Sequence, residues 1–324
     1  MSAFGIRFDL RNPSFSGSSM AERVGAALEM VEWADRLGAR LIVLAEHHGS
    51  EDGYLPSPLT MGAAVAARTR RAVVRLFLAA PFYDPLRLAE DLTMLDLISE
   101  GRIDVNLVAG YVPGEFAMFG VPMSERPARM TEVVKTLKAA WTGEPFEYRG
   151  RTVQIRPAPF RRGGPPLTLG GSSEAAARRA ARLGDGFAPG LPTLWDFYRD
   201  ECLKIGKPDP GPARRATPAV TILSRDPQDA WERLAPYFLH ETNAYGAWEA
   251  TRGGDILHQP AADADALRRT GTYRVLTPQD YLEELRAAGA AAFTMLHPMV
   301  GGIPPNLAWE HLRLFEHEVL PGLG

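Results

Sequence analysis

The chain has 324 residues, 45% hydrophobic and 23% charged, with a net charge of −3. That balance supplies a sizeable core and excludes a general pull toward nucleic acid or an anionic membrane. One cysteine, Cys202, excludes an internal disulfide framework; no run of 18 apolar residues offers a membrane span, and "MSAFGIRFDLRNPSF" has no apolar core of signal-peptide type, so a cytoplasmic protein is expected.

Short β-like runs alternate with helical patterns from end to end. Residues 4–10 form the first run, and 20–37 the first helix, with Val24, Ala27, Leu28, Val31 and Ala34 on one stripe. Residues 41–45 are the second run, with a helix from about Pro58; 73–80 are the third, with a helix over 84–99. There Asp84 is the expected N-cap and Pro85 the first helical residue. Residues 103–109 are the fourth run and 124–141 its helix. The runs 146–148 and 152–155 flank "RGR" and read as a surface hairpin insertion. Residues 166–169 and 186–189 are the fifth and sixth runs, with helices over 172–183 and 193–205. A Pro-rich loop over 208–218 leads to the seventh run, 219–223, and a helix from Asp226. Residues 253–272 look irregular, a lid or excursion before "TPQDYLEELRAAG", a capped helix. Residues 292–296 are the eighth run and 307–319 the last helix.

Eight short strands, apolar on both sides and each followed by a helix, imply an α/β fold with an all-parallel sheet covered on its outer face. Eight is also the number that closes a (β/α)8 TIM-type barrel. The doubly wound alternative lacks its signature, since "DLRNPSFSGSSM" contains no G-x-G-x-x-G. The arginines within 68–75 and at 161–162 read as solvated faces rather than a phosphate-tracking stripe.

Barrel chemistry sits where strands end. The second strand ends in Glu46, His47 and His48, with Tyr54 beyond; the third in Pro81, Phe82, Tyr83 and Asp84; the fourth carries Asn106 and ends in Gly110 and Tyr111; the eighth ends in His297 and Pro298. The fifth runs into "LGGSSEAAARRAARLGDG". Gly170 and Gly171 permit a tight turn and close approach to a ligand. Ser172 and Ser173 offer hydroxyls, and the new helix offers unpaired N–H groups and a positive dipole end. The result is either a phosphate seat or a plainly capped helix.

Neighbours in an extended segment point to opposite sides, so His47 and His48 are poorly placed to grip one metal ion, and no metal site is expected. Two imidazoles and a carboxylate are costly in a dry core, which favours a site where one serves as acid or base and the other packs or positions a loop. The four lysines, Lys135, Lys138, Lys204 and Lys207, lie away from the strand ends, which excludes a Schiff-base aldolase. Glu46, Asp84 and Glu115 leave a glycosidase carboxylate pair open.

Several long segments, in order, resemble the bacterial-luciferase-like family of flavin-dependent monooxygenases: "AEHH", "DPLRLAEDLTMLDLISEGRIDVNLVAGY", "EFAMFGV", "AWTGEPFEYRGR", "LTLGGSSEAAARRAARLGDGF" and "LHPMVGGIPPNLAWEHLRLF". The resemblance implies a single TIM-type domain over 1–324, a homodimer, and reduced FMN or a 5-deazaflavin coenzyme at the strand ends. It implies that a separate reductase supplies the reduced flavin, with molecular oxygen as co-substrate. It matches His47 and His48 to histidines of which one acts as a base or steadies the oxygen adduct. It sets the flavin phosphate on Gly170–Ser173 and Asn106 near the ring, and assigns Ala79, Ala80, Ala109 and Gly110 to the cofactor. It also implies a non-prolyl cis peptide in the third strand, at Leu78–Ala80. Ala109 stands where luciferase has an arginine, and Arg225 is alone after the seventh strand, which disfavours a sulfonate substrate. The expected activity is monooxygenation of a small, fairly apolar organic molecule. The alternatives are hydride transfer with a 5-deazaflavin, or a flavin-binding barrel without catalysis.

Overall fold

The computed structural model describes residues 3–213, 220–251, 258–289 and 293–323. In chain order the elements are β1 (Ala3–Phe8), α1 (Met20–Arg36), β2 (Leu41–Leu44), α2 (Pro58–Arg68), β3 (Val73–Ala79), α3 (Pro85–Ile98), β4 (Ile103–Val108), α4 (Pro113–Met118), α5 (Arg126–Ala140), β5 (Phe146–Tyr148) and β6 (Arg151–Val153). Then follow β7 (Leu167–Gly171), α6 (Glu174–Leu183), β8 (Gly186–Pro189), α7 (Leu194–Lys204), β9 (Val220–Leu223), α8 (Pro227–Ala250), α9 (Ala264–Thr270), β10 (Tyr273–Leu276), α10 (Pro278–Ala288), β11 (Phe293–Leu296) and α11 (Pro305–Leu314). Each of the eight expected strands is present, as β1–β4, β7–β9 and β11. The expected hairpin is the antiparallel pair β5–β6.

The chain forms two compact units. The first comprises Met1–Pro56, Arg68–Ala72 and Thr217–Gly324. In it β1 pairs in parallel with β11 on one side and β2 on the other, so that Ile6 stands opposite both Leu296 and Ile42. These three are buried, as are Ala27, Met30, Val31 and Ala34 of α1, the stripe that packs on the strands. Ser19 and Glu22 close a capping box on α1: Ser19 Oγ accepts from Glu22 N at 3.2 Å and Glu22 Oε2 from Ser19 N at 2.7 Å. The buried Arg23 of α1 donates to the carbonyls of Met299, Gly302 and Ile303 at 3.0–3.1 Å, which fixes the loop after β11. β9 pairs in parallel with β10, a strand hidden in sequence between the polar stretch and "TPQDYLEELRAAG". α9 forms inside the segment expected to be irregular; residues 253–257 of that segment, 214–218 of the Pro-rich loop and 219 of the expected seventh run lie outside the described residues.

The second unit comprises Ser57–Ala67 and Val73–Ala216. Its parallel strands run β3–β4–β7–β8. Asp84 caps α3 as expected, accepting from Leu86 N at 3.0 Å and Arg87 N at 3.1 Å. Arg161 is not a solvated charge. Its guanidinium lies 3.0 Å from the buried Asp96, which also accepts its backbone N–H at 2.8 Å. A buried carboxylate requires such a partner, and the sequence pattern does not show it.

Candidate active site

In the first unit the chemistry gathers where β1, β2 and β11 end. Beyond β2 the chain stays extended, and alternation puts Glu46 and His48 on one side and His47 on the other. His48 Nε2 lies 2.8 Å from Glu46 Oε1, with both side chains nearly enclosed. His47 turns into an aromatic box. Its ring centroid is 4.3 Å from that of Trp248, and it meets Tyr54 edge-on at 4.9 Å. The Tyr54 and Tyr245 hydroxyls bond each other at 2.9 Å, and burial pushes both phenols up.

Arg11, just past β1, enters the same box. Its side chain is fully buried, Nη1 donates to Asp52 Oδ2 at 2.5 Å, and its guanidinium carbon lies 4.6–4.9 Å from the ring centroids of Tyr54, Tyr245 and Trp248. Burial opposes the charge on Arg11, but Tyr245, Asp9 and Asp52 outweigh it and hold the guanidinium above its ordinary range. Asp52 also faces His240 Nε2 at 2.7 Å. Burial pushes the Asp52 carboxyl up, but His240 and Arg11 override this and leave it below the usual range.

Three buried groups meet beside this box. His297 Nε2 is 3.3 Å from Asp9 Oδ2, and its Nδ1 is 3.9 Å from Glu241 Oε1. Tyr273 donates to the other Glu241 oxygen at 2.9 Å. Ligand-capable atoms of Asp9, Glu241 and His297 lie within 4.8 Å of one another, which is metal-like spacing. The ring, however, faces a different carboxylate with each nitrogen, whereas a chelate needs one nitrogen lone pair aimed at the same point as both carboxylates. The ring therefore stands between two carboxylates, and neither of its nitrogens makes a hydrogen bond among the described residues. Burial pushes the Asp9 carboxyl up, but His297, Arg11 and Arg7 override this and hold it below the usual range. Sequence reasoning did not single out Asp9, Arg11, Glu241 or Trp248. A signal for two of them is present in the sequence: Arg7, Asp9 and Arg11 are charged residues spaced by two at the end of an otherwise apolar run.

In the second unit the expected cofactor residues come together at the ends of three paired strands. Ala79 closes β3 and Ala80 opens a tight turn after it; Asn106 lies in β4, and Ala109 and Gly110 follow it; Gly170 and Gly171 end β7. Asn106 is buried, and its Oδ1 accepts no hydrogen bond among the described residues. Gly110 has φ +71°, and its carbonyl accepts from Arg126 Nη1 at 3.1 Å. The peptides at Leu78–Ala80 are trans; the cis bond among the described residues is Arg156–Pro157. The bulge expected there from the resemblance is absent.

Gly170 and Gly171 also differ in their reason from the expected turn. Both are extended members of β7. A Cβ on Gly170 would meet Val108 Cγ1 at 2.7 Å, and one on Gly171 would meet the Ala176 Cβ at 2.3 Å. Close packing of strand on strand and of helix on strand accounts for these glycines. Ser173 caps α6, its hydroxyl accepting from Ala176 N at 3.2 Å, while Ser172 and Ser173 remain exposed. The helix start keeps its N-terminal polarity, though Glu174 sits in its first turn, paired with Arg178 at 2.7 Å.

Fold and strand-end chemistry together define an α/β protein with buried polar groups gathered at the ends of its parallel strands. The luciferase-like monooxygenase family model matches residues 4–294, and the chain belongs to that family. The FMNH(2)-dependent dimethylsulfone monooxygenase of Pseudomonas putida is 29% identical over 202 residues, 56% of this chain and 54% of the relative. The chain spans about half (54%) the length of the first curated relatives it matches by this measure. The F420-dependent glucose-6-phosphate dehydrogenase of Rhodococcus erythropolis is 25% identical over 338 residues, 90% of this chain and 95% of the relative. The crystal structure of monooxygenase RslO1 from Streptomyces bottropensis superposes with a TM-score of 0.76 at 25% identity, covering 99% of this chain and 100% of that one. The expected α/β fold is thus the fold of the family. Among the described residues no helix is long and apolar enough to cross a membrane.

Proposed function

We propose that the chain is a flavin-dependent oxidoreductase, a monooxygenase that uses reduced FMN and molecular oxygen on a small organic substrate. The observation that carries this reading is the buried, unbonded carbonyl of Asn106 at the ends of β3, β4 and β7, in a chain matched by the family model across both units. A buried acceptor without a donor is costly, and a flavin ring N–H relieves that cost. Asn106, Ala79, Ala80, Ala109 and Gly110 would hold the ring, and the Gly170–Ser173 segment its phosphate, through the exposed hydroxyls and the start of α6. Bound reduced flavin supplies the electrons that let oxygen attack the substrate. The chain's own contribution is to exclude water, hold the ring and move a proton. His48, backed by Glu46, is suited to proton transfer, while His47 is a wall of the aromatic box.

The name of the Pseudomonas relative supports FMN. The Rhodococcus relative, aligned over nine-tenths of this chain, supports a second reading: hydride transfer with a 5-deazaflavin. Titration of the purified protein with FMN, reduced FMN and the deazaflavin, followed by stopped-flow mixing of the reduced complex with oxygen, separates them. Tight binding of reduced FMN and a long-lived absorbing adduct support the monooxygenase. Preference for the deazaflavin and indifference to oxygen support the second reading, and binding of no flavin overturns both. A cytoplasmic homodimer served by a separate reductase completes the proposal.

A further inference from the structure

We infer that the aromatic box of the first unit is a recognition site for a small planar organic carboxylate, with Arg11 as the residue that reads the carboxylate. The inference rests on the flavin-enzyme reading for its purpose, since His47 lines the same box, but not for its geometry.

A guanidinium presents five N–H donors in a fixed fork. In Arg11 the Nη1 end is spent on Asp52 at 2.5 Å. Its Nε and Nη2 atoms are buried and have no hydrogen-bond partner among the described residues. These two atoms are the side-on pair of the fork, the edge that accepts both oxygens of one carboxylate. The neighbouring aromatic rings do not satisfy these donors. Tyr54, Tyr245 and Trp248 lie 4.6–4.9 Å from the guanidinium carbon and act on its charge through their π-systems, but an in-plane N–H requires a lone pair.

None of the nearby acids accepts from this donor pair. Asp52 takes Nη1 and faces His240, Asp9 Oδ1 accepts the backbone N–H of Arg11 at 3.1 Å while its Oδ2 faces His297, and Glu241 takes the Tyr273 hydroxyl. The donor pair thus awaits an anion that the described residues do not supply. Flat rings on several sides select a flat ligand, and His258 extends the box, stacked on Tyr245 at 4.5 Å and paired with Glu249 at 2.8 Å. The ligand class is therefore an aromatic or otherwise planar monocarboxylate rather than a purely apolar molecule.

Isothermal titration of the full-length protein with benzoate, and with benzamide as its uncharged isostere, tests this. Benzoate should bind at one site, at least ten-fold tighter than benzamide. Arg11→Lys keeps the charge but lacks the fork, so it should weaken benzoate at least ten-fold while cooperative thermal unfolding persists. Arg11→Gln should abolish binding. Equal affinities of benzoate and benzamide, no benzoate binding to the unaltered protein, or undiminished binding to a folded Arg11→Lys variant each overturn the inference. Should neither variant fold, the benzoate-to-benzamide ratio on the unaltered protein decides alone. FMN titrated in parallel keeps the two readings apart. Flavin binding without benzoate binding sinks only the carboxylate site, and benzoate binding without flavin binding sinks only the flavin reading.

Discussion

His48 Nε2 lies 2.8 Å from Glu46 Oε1, two residues earlier on the same side of an extended segment. A carboxylate accepts only, so the ring nitrogen facing it carries the proton, and the pair fixes the tautomer and orientation of the imidazole. If His48 moves a proton in turnover, His48→Ala should lower kcat by about 100-fold or more, the scale of general acid–base catalysis, with flavin affinity within about two-fold. Glu46→Gln should give a smaller loss of kcat in the same direction. His47→Ala should also damage turnover more than flavin binding. Steady-state oxygen consumption beside flavin fluorescence titration measures both quantities, and normal turnover in both histidine variants removes the assigned role.

Asn106 offers a contrast between holding the fold and holding a ligand. Its buried Oδ1 is already unbonded, so removing it forfeits no internal hydrogen bond at that atom. Asn106→Leu should therefore change unfolding free energy by no more than about 1 kcal/mol, yet weaken flavin about ten-fold, the scale of one hydrogen bond. Urea denaturation and flavin titration on the same preparation give the two numbers. A large stability loss with unchanged flavin affinity would make Asn106 a structural residue.

Gly171 at the end of β7 and Gly190 just past β8 divide in the same way. A Cβ at Gly171 would stand 2.3 Å from the Ala176 Cβ, and one at Gly190 would stand 2.2 Å from Ser172 Oγ. Gly171→Ala should cost roughly 1–3 kcal/mol, as overpacking does, because helix and strand must separate. Gly190→Ala clashes chiefly with the rotatable Ser172 hydroxyl, with Ser172 Cβ at 3.1 Å and the Gly171 carbonyl at 3.4 Å, so it should cost less and instead turn Ser172 away. Weaker flavin binding with near-native stability is expected for it, and the reverse pattern would remove Ser172 from the phosphate seat.

Much of this was legible in the chain because short apolar runs and helical stripes alternate, and because caps such as Asp84 act locally. What escaped notice depends on partners distant in sequence. β10 shows four residues with little alternation and gains its identity from pairing with β9. Arg161 looks like a surface charge until Asp96, 65 residues earlier, is brought against it. The pair Glu46–His48 follows from alternation alone, whereas the aromatic box around His47 needs α8, about 200 residues on. Gly170 and Gly171 were legible as special, but the reason lies in Val108 and Ala176 rather than in a turn.

His297 stands between Asp9 and Glu241, and removing it leaves two buried carboxylates facing each other without the ring between them. His297→Leu should cost roughly 3–5 kcal/mol, the usual penalty for stripping one partner from a buried ionic group. Asp9→Asn added to it should return part of that loss by removing one of the uncompensated charges. Urea unfolding of the single and double variants measures the coupling. Strict additivity would show that the trio does not act as a unit.

His311 supplies a prediction on pH. Its ring is buried against β9, with Nδ1 accepting from Leu223 N at 2.8 Å, and burial pushes its pKa from 6.5 down to about 3. The folded protein thus keeps this imidazole neutral where the unfolded chain protonates it, so the unfolded state binds more protons between pH 6.5 and about pH 3. Stability associated with His311 is complete above pH 6.5 and declines as pH falls, by about 2 kcal/mol at pH 5. A glutamine in place of this histidine offers Leu223 an acceptor without a titrating proton. The His311→Gln variant should therefore show a smaller drop in urea midpoint between pH 7 and pH 5 than the unaltered protein. An equal drop in both would mean that His311 is not the group responsible.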